Sequence, residues 1–139
     1  MLKFKNSLPF IENVYLNDIL KVCKTPFYIY SQNIITQKVE NIKKILGKKI
    51  FFSVKSNSNQ AILRLMSSLD IGADVVSAGE LKRSLSAGFD SSKIIFEGVG
   101  KSKEDLLYAI QKNIHLINTE SLEEIKLLEN LANEKGKKV

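Results

Sequence analysis

The sequence holds a single cysteine, Cys23, in 139 residues. An intrachain disulfide is therefore excluded, and so is a zinc site built on cysteines. With one histidine as well, His115, no metal site is predicted. No apolar run approaches the ~20 residues that a membrane-spanning helix needs. The opening stretch, MLKFKNSLPFIENVYL, has no continuous apolar segment ahead of a small-residue cleavage site, so no signal peptide is predicted. A cytoplasmic protein is the expectation. No G-x-G-x-x-G opens a helix after a strand, which counts against a dinucleotide-binding fold.

The charge is lopsided, with a net +6, and a basic chain invites the question of a nucleic-acid or anionic-surface partner. The lysines, however, are scattered among Asn, Ile and Glu along the whole length. The densest groups, KKILGKK (Lys43–Lys49) and KGKK (Lys135–Lys138), lie in or beside predicted turns. No aromatic residues interleave with them, as stacking on single-stranded bases would require. A solvated basic face is predicted, with neither nucleic acid nor membrane as partner.

What is present is a regular alternation. Four short runs rich in Val, Ile and Phe read as strands: KIFFSV (Lys49–Val54), ADVVS (Ala73–Ser77), KIIFEG (Lys93–Gly98) and IHLINT (Ile114–Thr119). Apolar stripes at helical spacing lie around them: Ile35, Val39, Ile42 and Leu46; Ile62, Leu65, Met66 and Leu69; Leu81 and Leu85, ended by Gly88; Leu106, Leu107 and Ile110; and Leu122, Ile125, Leu128 and Ala132. Ser102-x-x-Asp105 and Ser121-x-x-Glu124 read as capping boxes that start the last two helices. Strand–helix–strand repeats of a little over twenty residues give right-handed crossovers and a parallel sheet, as in a (β/α) barrel or a doubly wound sheet. TPFYIYS (Thr25–Ser31) is a further strand-like run, set apart from the repeat. KGKKV at the other end reads as a turn into another strand.

In parallel α/β folds the chemistry gathers on the loops after the strands. Lys55 in FFSVKSNSN, residues 74–80 in GADVVSAGEL, and residues 98–101 in EGVGKS all fall there. On pattern alone each has a plain alternative: a surface lysine at a strand end, a turn acid at Asp74, and a helix N-terminal acid at Glu80. Plain turn formation also explains Gly98 and Gly100. His115 reads as a core or surface histidine, and Cys23 has no catalytic partner in view.

The ordered set TPFYIY, FFSVKSNSN, GADVVSAGEL, IIFEGVGKSKEDL and INTESLEEI resembles the N-terminal part of the fold-type III pyridoxal-phosphate decarboxylases, the group acting on ornithine, diaminopimelate and arginine. Within that family it is most similar to the diaminopimelate branch. The resemblance runs from about Thr25 to about Leu128. It implies an α/β fold, the N-terminal half of a (β/α)8 barrel of the alanine-racemase type, reaching about four βα units. Residues 1–33 would hold one strand of the family's β-domain, and 34–139 the partial cofactor-binding barrel. It implies pyridoxal 5'-phosphate as cofactor, held covalently by Lys55, with Asp74 and Glu80 as acids beside it. The substrate would be a small amino acid, meso-diaminopimelate decarboxylated to L-lysine, and the full-length family implies a homodimer. Ser53 departs from the usual Ala or Pro before the Val-Lys pair, which touches packing rather than the covalent bond. An amino-acid racemase or a small pyridoxal-phosphate homeostasis barrel shares the fold, but GADVVSAGEL followed by GVGKS argues against both. The family's ring-stacking histidine, phosphate-binding glycine loop and pyridine-facing acid match no positions here. The chain therefore resembles about the first third of such an enzyme: an incomplete or split form needing a complementary polypeptide, or a non-catalytic, partner-binding remnant.

Overall fold

A computed structural model describes residues 2–47 and 49–138. The chain divides into two units, Met1–Lys44 and Ile45–Val139.

The first unit opens with three short antiparallel strands, β1 (Leu2–Lys5), β2 (Leu8–Ile11) and β3 (Val14–Tyr15), in the order β1-β2-β3. The β1–β2 connection is only Asn6-Ser7, and both residues sit at positive φ, 51° and 63°. Two successive left-handed residues match the right-handed twist of a tight hairpin, and Asn tolerates that conformation. Helix α1 (Leu16–Val22) follows, then α2 (Gln32–Leu46). Of the predicted α2 stripe only Val39 is buried; Ile42 and Leu46 are exposed. Glu12 fastens the start of α2, accepting hydrogen bonds from the Ser31 hydroxyl and from Asn33 Nδ2 at 2.9 Å.

The strand expected over Thr25–Ser31 is absent. The segment keeps a period-two burial, with Phe27 and Ile29 half-buried and Tyr28 and Tyr30 exposed. Among the described residues no neighbouring strand pairs with it. Extended backbone becomes a strand only when a ladder satisfies its N–H and C=O groups.

The second unit follows the predicted alternation. Its strands are β4 (Phe51–Ser53), β5 (Gly72–Val75), β6 (Ile94–Phe96) and β7 (Leu116–Ile117), all parallel in the order β4-β5-β6-β7. The helices α3 (Gln60–Ser68), α4 (Ala78–Ser86), α5 (Lys103–Lys112) and α6 (Leu122–Glu134) follow them one by one. The register aligns Val75, Phe96 and Ile117 in one row. Ile117 packs on the α5–α6 core of Leu106, Ile110, Leu128, Leu131 and Ala132, so this row faces the helices. Val75 and Phe96 are fully buried there. The alternate row, Ser53, Asp74, Ile95 and Leu116, projects from the opposite face, because successive strand side chains alternate.

Helix ends follow local chemistry. Asn59 caps α3 through Ala61 N–H at 2.9 Å, and Ser77 caps α4 through Glu80 N–H at 3.2 Å. After α4, Gly88 sits at φ 96°, and the Phe89 and Gly88 N–H groups return to the Ser84 and Leu85 carbonyls. That pairing closes the helix as a Schellman motif, which needs a left-handed residue at Gly88. The stripe expected on α6 is corrected in part. Leu122 and Ile125 are exposed, and the buried face is Leu128, Leu131 and Ala132, because those residues meet α5.

Gly72 is required for a different reason. A Cβ at this position would strike the Phe51 ring and lie 2.6 Å from the Lys93 carbonyl oxygen. Phe51 lies across Gly72, and its ring stacks with His115 at 6.3 Å between centroids. Gly72→Ala should therefore lose about 1–3 kcal/mol. A lower urea midpoint at unchanged slope would register the loss; an unchanged midpoint would show that Phe51 does not depend on that space.

Candidate active site

The carboxyl ends of β4 to β7 carry most of the polar side chains foreseen from sequence. β4 runs directly into a 3-10 turn, Val54–Ser56. Val54 is fully buried and anchors the turn, while Lys55 next to it is exposed. Among the described residues the Lys55 ammonium has no hydrogen bond or ion pair. The turn lies against β5, which carries Asp74, and against α4, which carries Glu80. The structure thus brings the elements of all three predicted site residues together.

Asp74 is the register neighbour of Ser53. Its Oδ1 is buried and makes no hydrogen bond, and the same holds for Ser53 Oγ. Such atoms cost about 1–3 kcal/mol each when left unsatisfied, so they mark a place where a partner is expected. Glu80 is differently engaged. Its Oε2 accepts from Val76 N–H at 3.0 Å, which closes the loop between β5 and α4. This is the helix-terminal role, and it leaves Oε1 for other contacts.

The βα loops are also fastened to one another, each by a side chain distant in sequence. Arg83 Nε of α4 donates to the Ser58 carbonyl oxygen after β4 at 3.1 Å. Asp105 Oδ1 of α5 accepts from Ala78 N–H at 2.7 Å. Lys101, between β6 and α5, donates to the Gly98 and Asn118 carbonyl oxygens, both at 2.6 Å, and to Glu124 Oε1 at 3.0 Å. The Lys101 side chain is 1% exposed and that of Glu124 10%. All three ammonium donors are spent, and the charge also lies 6.0 Å from the Phe96 ring centroid.

The Ser102–Asp105 capping box is present in full. The Ser121–Glu124 box is present in half. Ser121 Oγ accepts from Glu124 N–H, but the Glu124 carboxylate is drawn to Lys101 and to Glu120 N–H instead of Ser121 N–H. For Asp105, burial pushes the carboxyl pKa up from its ordinary 3.8, while hydrogen bonds from Ser102 and Ala78 and the charge of Lys82 pull it down further, so the net shift is downward. A folded-state pKa below the unfolded value gives stability that is present above about pH 3.8 and lost as pH falls through the lowered value.

Of the rim residues, sequence marked Asp105 only as a cap and Lys101 only as a loop residue, and it did not mark Arg83 at all. His115 lies before β7, at the amino end of the sheet, with its ring on Phe51. Cys23 is exposed in the first unit. No helix is long and apolar enough to cross a membrane among the described residues.

Residues 32–139 match the family model described as pyridoxal-dependent decarboxylase, pyridoxal binding domain. The chain belongs to this family. Diaminopimelate decarboxylase of Campylobacter jejuni is 48% identical over 113 residues, which cover 79% of this chain and 28% of that protein. The enzyme of the same name from Zymomonas mobilis is 39% identical over 140 residues, covering 96% of this chain and 33% of its relative. A solved Aquifex aeolicus protein superposes with a TM-score of 0.95 at 34% identity, covering 99% of this chain and 35% of that one. A Helicobacter pylori diaminopimelate decarboxylase variant complexed with L-lysine gives 0.82 at 39% identity, over 86% of this chain and 31% of that one. The chain thus spans about a third of the length of these relatives. Its second unit is four consecutive βα units of the family's (β/α)8 barrel, as the resemblance implied. The family's cofactor is pyridoxal phosphate, and its chemistry is decarboxylation.

The residues fit that cofactor. An aldehyde needs a primary amine that is not locked into an ion pair, and Lys55 offers one at a strand's carboxyl end. A cationic nitrogen next to it needs an uncommitted acceptor, and Asp74 Oδ1 is one.

Proposed function

We propose that this chain is the cofactor-binding portion of a diaminopimelate decarboxylase, with Lys55 as the residue that holds pyridoxal phosphate covalently. The contrast between two lysines carries the reading. Lys101 is buried, paired with Glu124 and hydrogen-bonded through every donor, so its nitrogen is fully committed to the protein. The turn that carries Lys55 lies against β5 and α4, and the Lys55 ammonium has no hydrogen bond or ion pair among the described residues. Only the neutral amine attacks a carbonyl, so an unpaired lysine is the competent one.

Bound pyridoxal phosphate supplies an electron sink for the pair released when carbon dioxide leaves an amino acid. The residues of this chain supply attachment and electrostatics. Lys55 Nζ would hold the cofactor. Asp74, through Oδ1, and Glu80, through Oε1, place negative charge on the neighbouring β5 and α4. Such charge would favour positive charge on a group bound between them. A small amino acid is the substrate class, meso-diaminopimelate giving L-lysine. The relatives' names and the lysine held by a solved relative support it. A homodimer, and a complementary polypeptide supplying the remaining two-thirds, are the partners that go with this reading. A cytoplasmic location goes with this reading.

A second reading, a non-catalytic segment that binds a partner, draws on the outer edge of β7, which no strand covers among the described residues. Borohydride treatment of the chain with pyridoxal phosphate, followed by peptide mapping, separates the two. A pyridoxyl group on Lys55 is expected. A label on another lysine with Lys55 unmodified would remove the assignment, and no label at all would favour the second reading.

A further inference from the structure

Asp105 does two jobs at once. As the third residue of α5 it completes its own helix cap: Oδ2 accepts from Ser102 N–H at 3.1 Å and from the Ser102 hydroxyl at 2.7 Å. A capping box needs no more than one carboxylate oxygen. The other oxygen reaches back 27 residues to Ala78 N–H, the first residue of α4, at 2.7 Å. One carboxylate thereby sits at the N-termini of two helices, where backbone N–H groups and both helix dipoles favour an anion.

The segment it grips, Val76–Glu80, joins Asp74 to Glu80. Three of its amides are held by side-chain oxygens: Val76 by Glu80, Glu80 by Ser77, and Ala78 by Asp105. The first two bonds are internal and fix only the shape of the loop. Of these three bonds, the third is the one that ties that loop to the next βα unit. Two bonds thus define how Glu80 is presented, and one defines where.

We propose that Asp105 is a positioning residue of the cofactor site, acting through the Val76–Glu80 segment on the carboxylates of Asp74 and Glu80. This rests on the reading of Lys55 as the cofactor's anchor. The prediction separates Asp105 from a mere cap. Ser102→Ala removes the capping hydroxyl and leaves the Oδ1 bond to Ala78; Asp105→Ala removes both; Asp105→Asn keeps a neutral carbonyl acceptor.

The test uses the whole chain, with pyridoxal phosphate as the probe. Two readouts are followed: deuterium uptake of a peptide spanning Val76–Leu81, and the dissociation constant of pyridoxal phosphate from its absorbance. Asp105→Ala should speed exchange of that peptide about tenfold and weaken cofactor binding about fivefold to tenfold, an effect of about one lost hydrogen bond. Ser102→Ala should change each by less than about twofold, even where its thermal midpoint falls as far as a lost cap allows. Asp105→Asn should fall between them, and it decides the question against Ser102→Ala if Asp105→Ala does not fold. Equal cofactor affinity in the unsubstituted chain and the Asp105 variants would overturn the proposal while leaving Lys55 in place. Failure of the unsubstituted chain to bind pyridoxal phosphate would overturn the cofactor reading and this role with it.

Discussion

Replacing Lys101 by alanine should cost the fold about 3–5 kcal/mol, the loss expected when one partner of a buried ion pair is removed. The Glu124 carboxylate, 10% exposed, would lose its cation, and the Gly98 and Asn118 carbonyl oxygens would lose their donor. A domain's total stability is about 5–15 kcal/mol, so the variant would stand close to unfolding at room temperature. Arginine should not rescue it, since a planar guanidinium does not fit a pocket shaped to three converging ammonium bonds. Lys101→Met combined with Glu124→Leu should recover part of the loss, because no lone charge then stays buried. The pair Lys21–Asp18 supplies the control. It is shorter, at 2.7 Å against 3.0 Å, but its side chains are 74% and 55% exposed. Asp18→Ala should therefore change stability by about 0–1 kcal/mol. Urea unfolding of these variants measures the difference, and a Lys101→Ala midpoint equal to that of Asp18→Ala would refute the account.

Lys101 also shows where sequence reading stops. The four strands were legible because Val, Ile and Phe cluster in short runs bounded by turn residues, and a buried parallel strand has no other common sequence form. The α5 cap was legible because Ser102 and Asp105 act within one turn. The same logic failed by half at Ser121 and Glu124, where Lys101, 23 positions away, outcompetes the local backbone donor. Asp105 to Ala78 and Arg83 to Ser58 are likewise bonds between elements distant in sequence. Local spacing carries no signal for them; they exist only once the parallel register has set the loops side by side. The N-terminal hairpin is a different kind of miss. Its signal was present, as LKF and LPF around Asn6-Ser7, a dipeptide that accepts positive φ at both positions. The strand placed at Thr25–Ser31 had the composition but lacks a partner.

For the candidate site, Lys55, Asp74 and Glu80 were readable only through the family resemblance. Pattern alone put Lys55 at a strand's end among 21 basic residues. The structure adds what composition cannot: which lysine is engaged and which is not, and which acid has a buried oxygen to spare. These are properties of packing. They also give the loops distinct duties. The Lys101 network ties the β6 and β7 loops together, Asp105 ties the β5 loop to α5, and Arg83 ties the β4 loop to α4. A rigid rim of this kind is what precise attachment of a flat cofactor demands, since misplacement by about 1 Å can cost about a hundredfold in rate.

A polypeptide of these 139 residues alone should decarboxylate meso-diaminopimelate at least about four orders of magnitude more slowly than a typical enzyme of the reaction, since positioning and preorganised charge supply about that much of the barrier reduction. On the proposed reading, attachment at Lys55 and the carboxylates of Asp74 and Glu80 would cover one part of the work. Holding a phosphate dianion, orienting the scissile carboxylate and excluding water are further tasks, and the chain spans only about a third of the relatives that carry the activity. The sheet adds a physical reason. Beyond β7 no strand follows among the described residues. A hollow of about 310 Å³ opens beside it, lined by Ile110, Ile114, Leu116, Ile117 and Leu128 among others. Leu116, Leu122 and Ile125 are 49%, 70% and 46% exposed. Unpaired strand edges beside apolar surface recruit a partner or self-associate. Sedimentation should show the purified chain as oligomers. Addition of the remaining two-thirds of a relative's sequence as a separate polypeptide should yield a discrete complex and raise lysine formation, followed by mass spectrometry, by orders of magnitude. Lysine production by the pure chain at an ordinary enzymatic rate would overturn this expectation, and would mean that self-assembly of this one unit rebuilds a complete site.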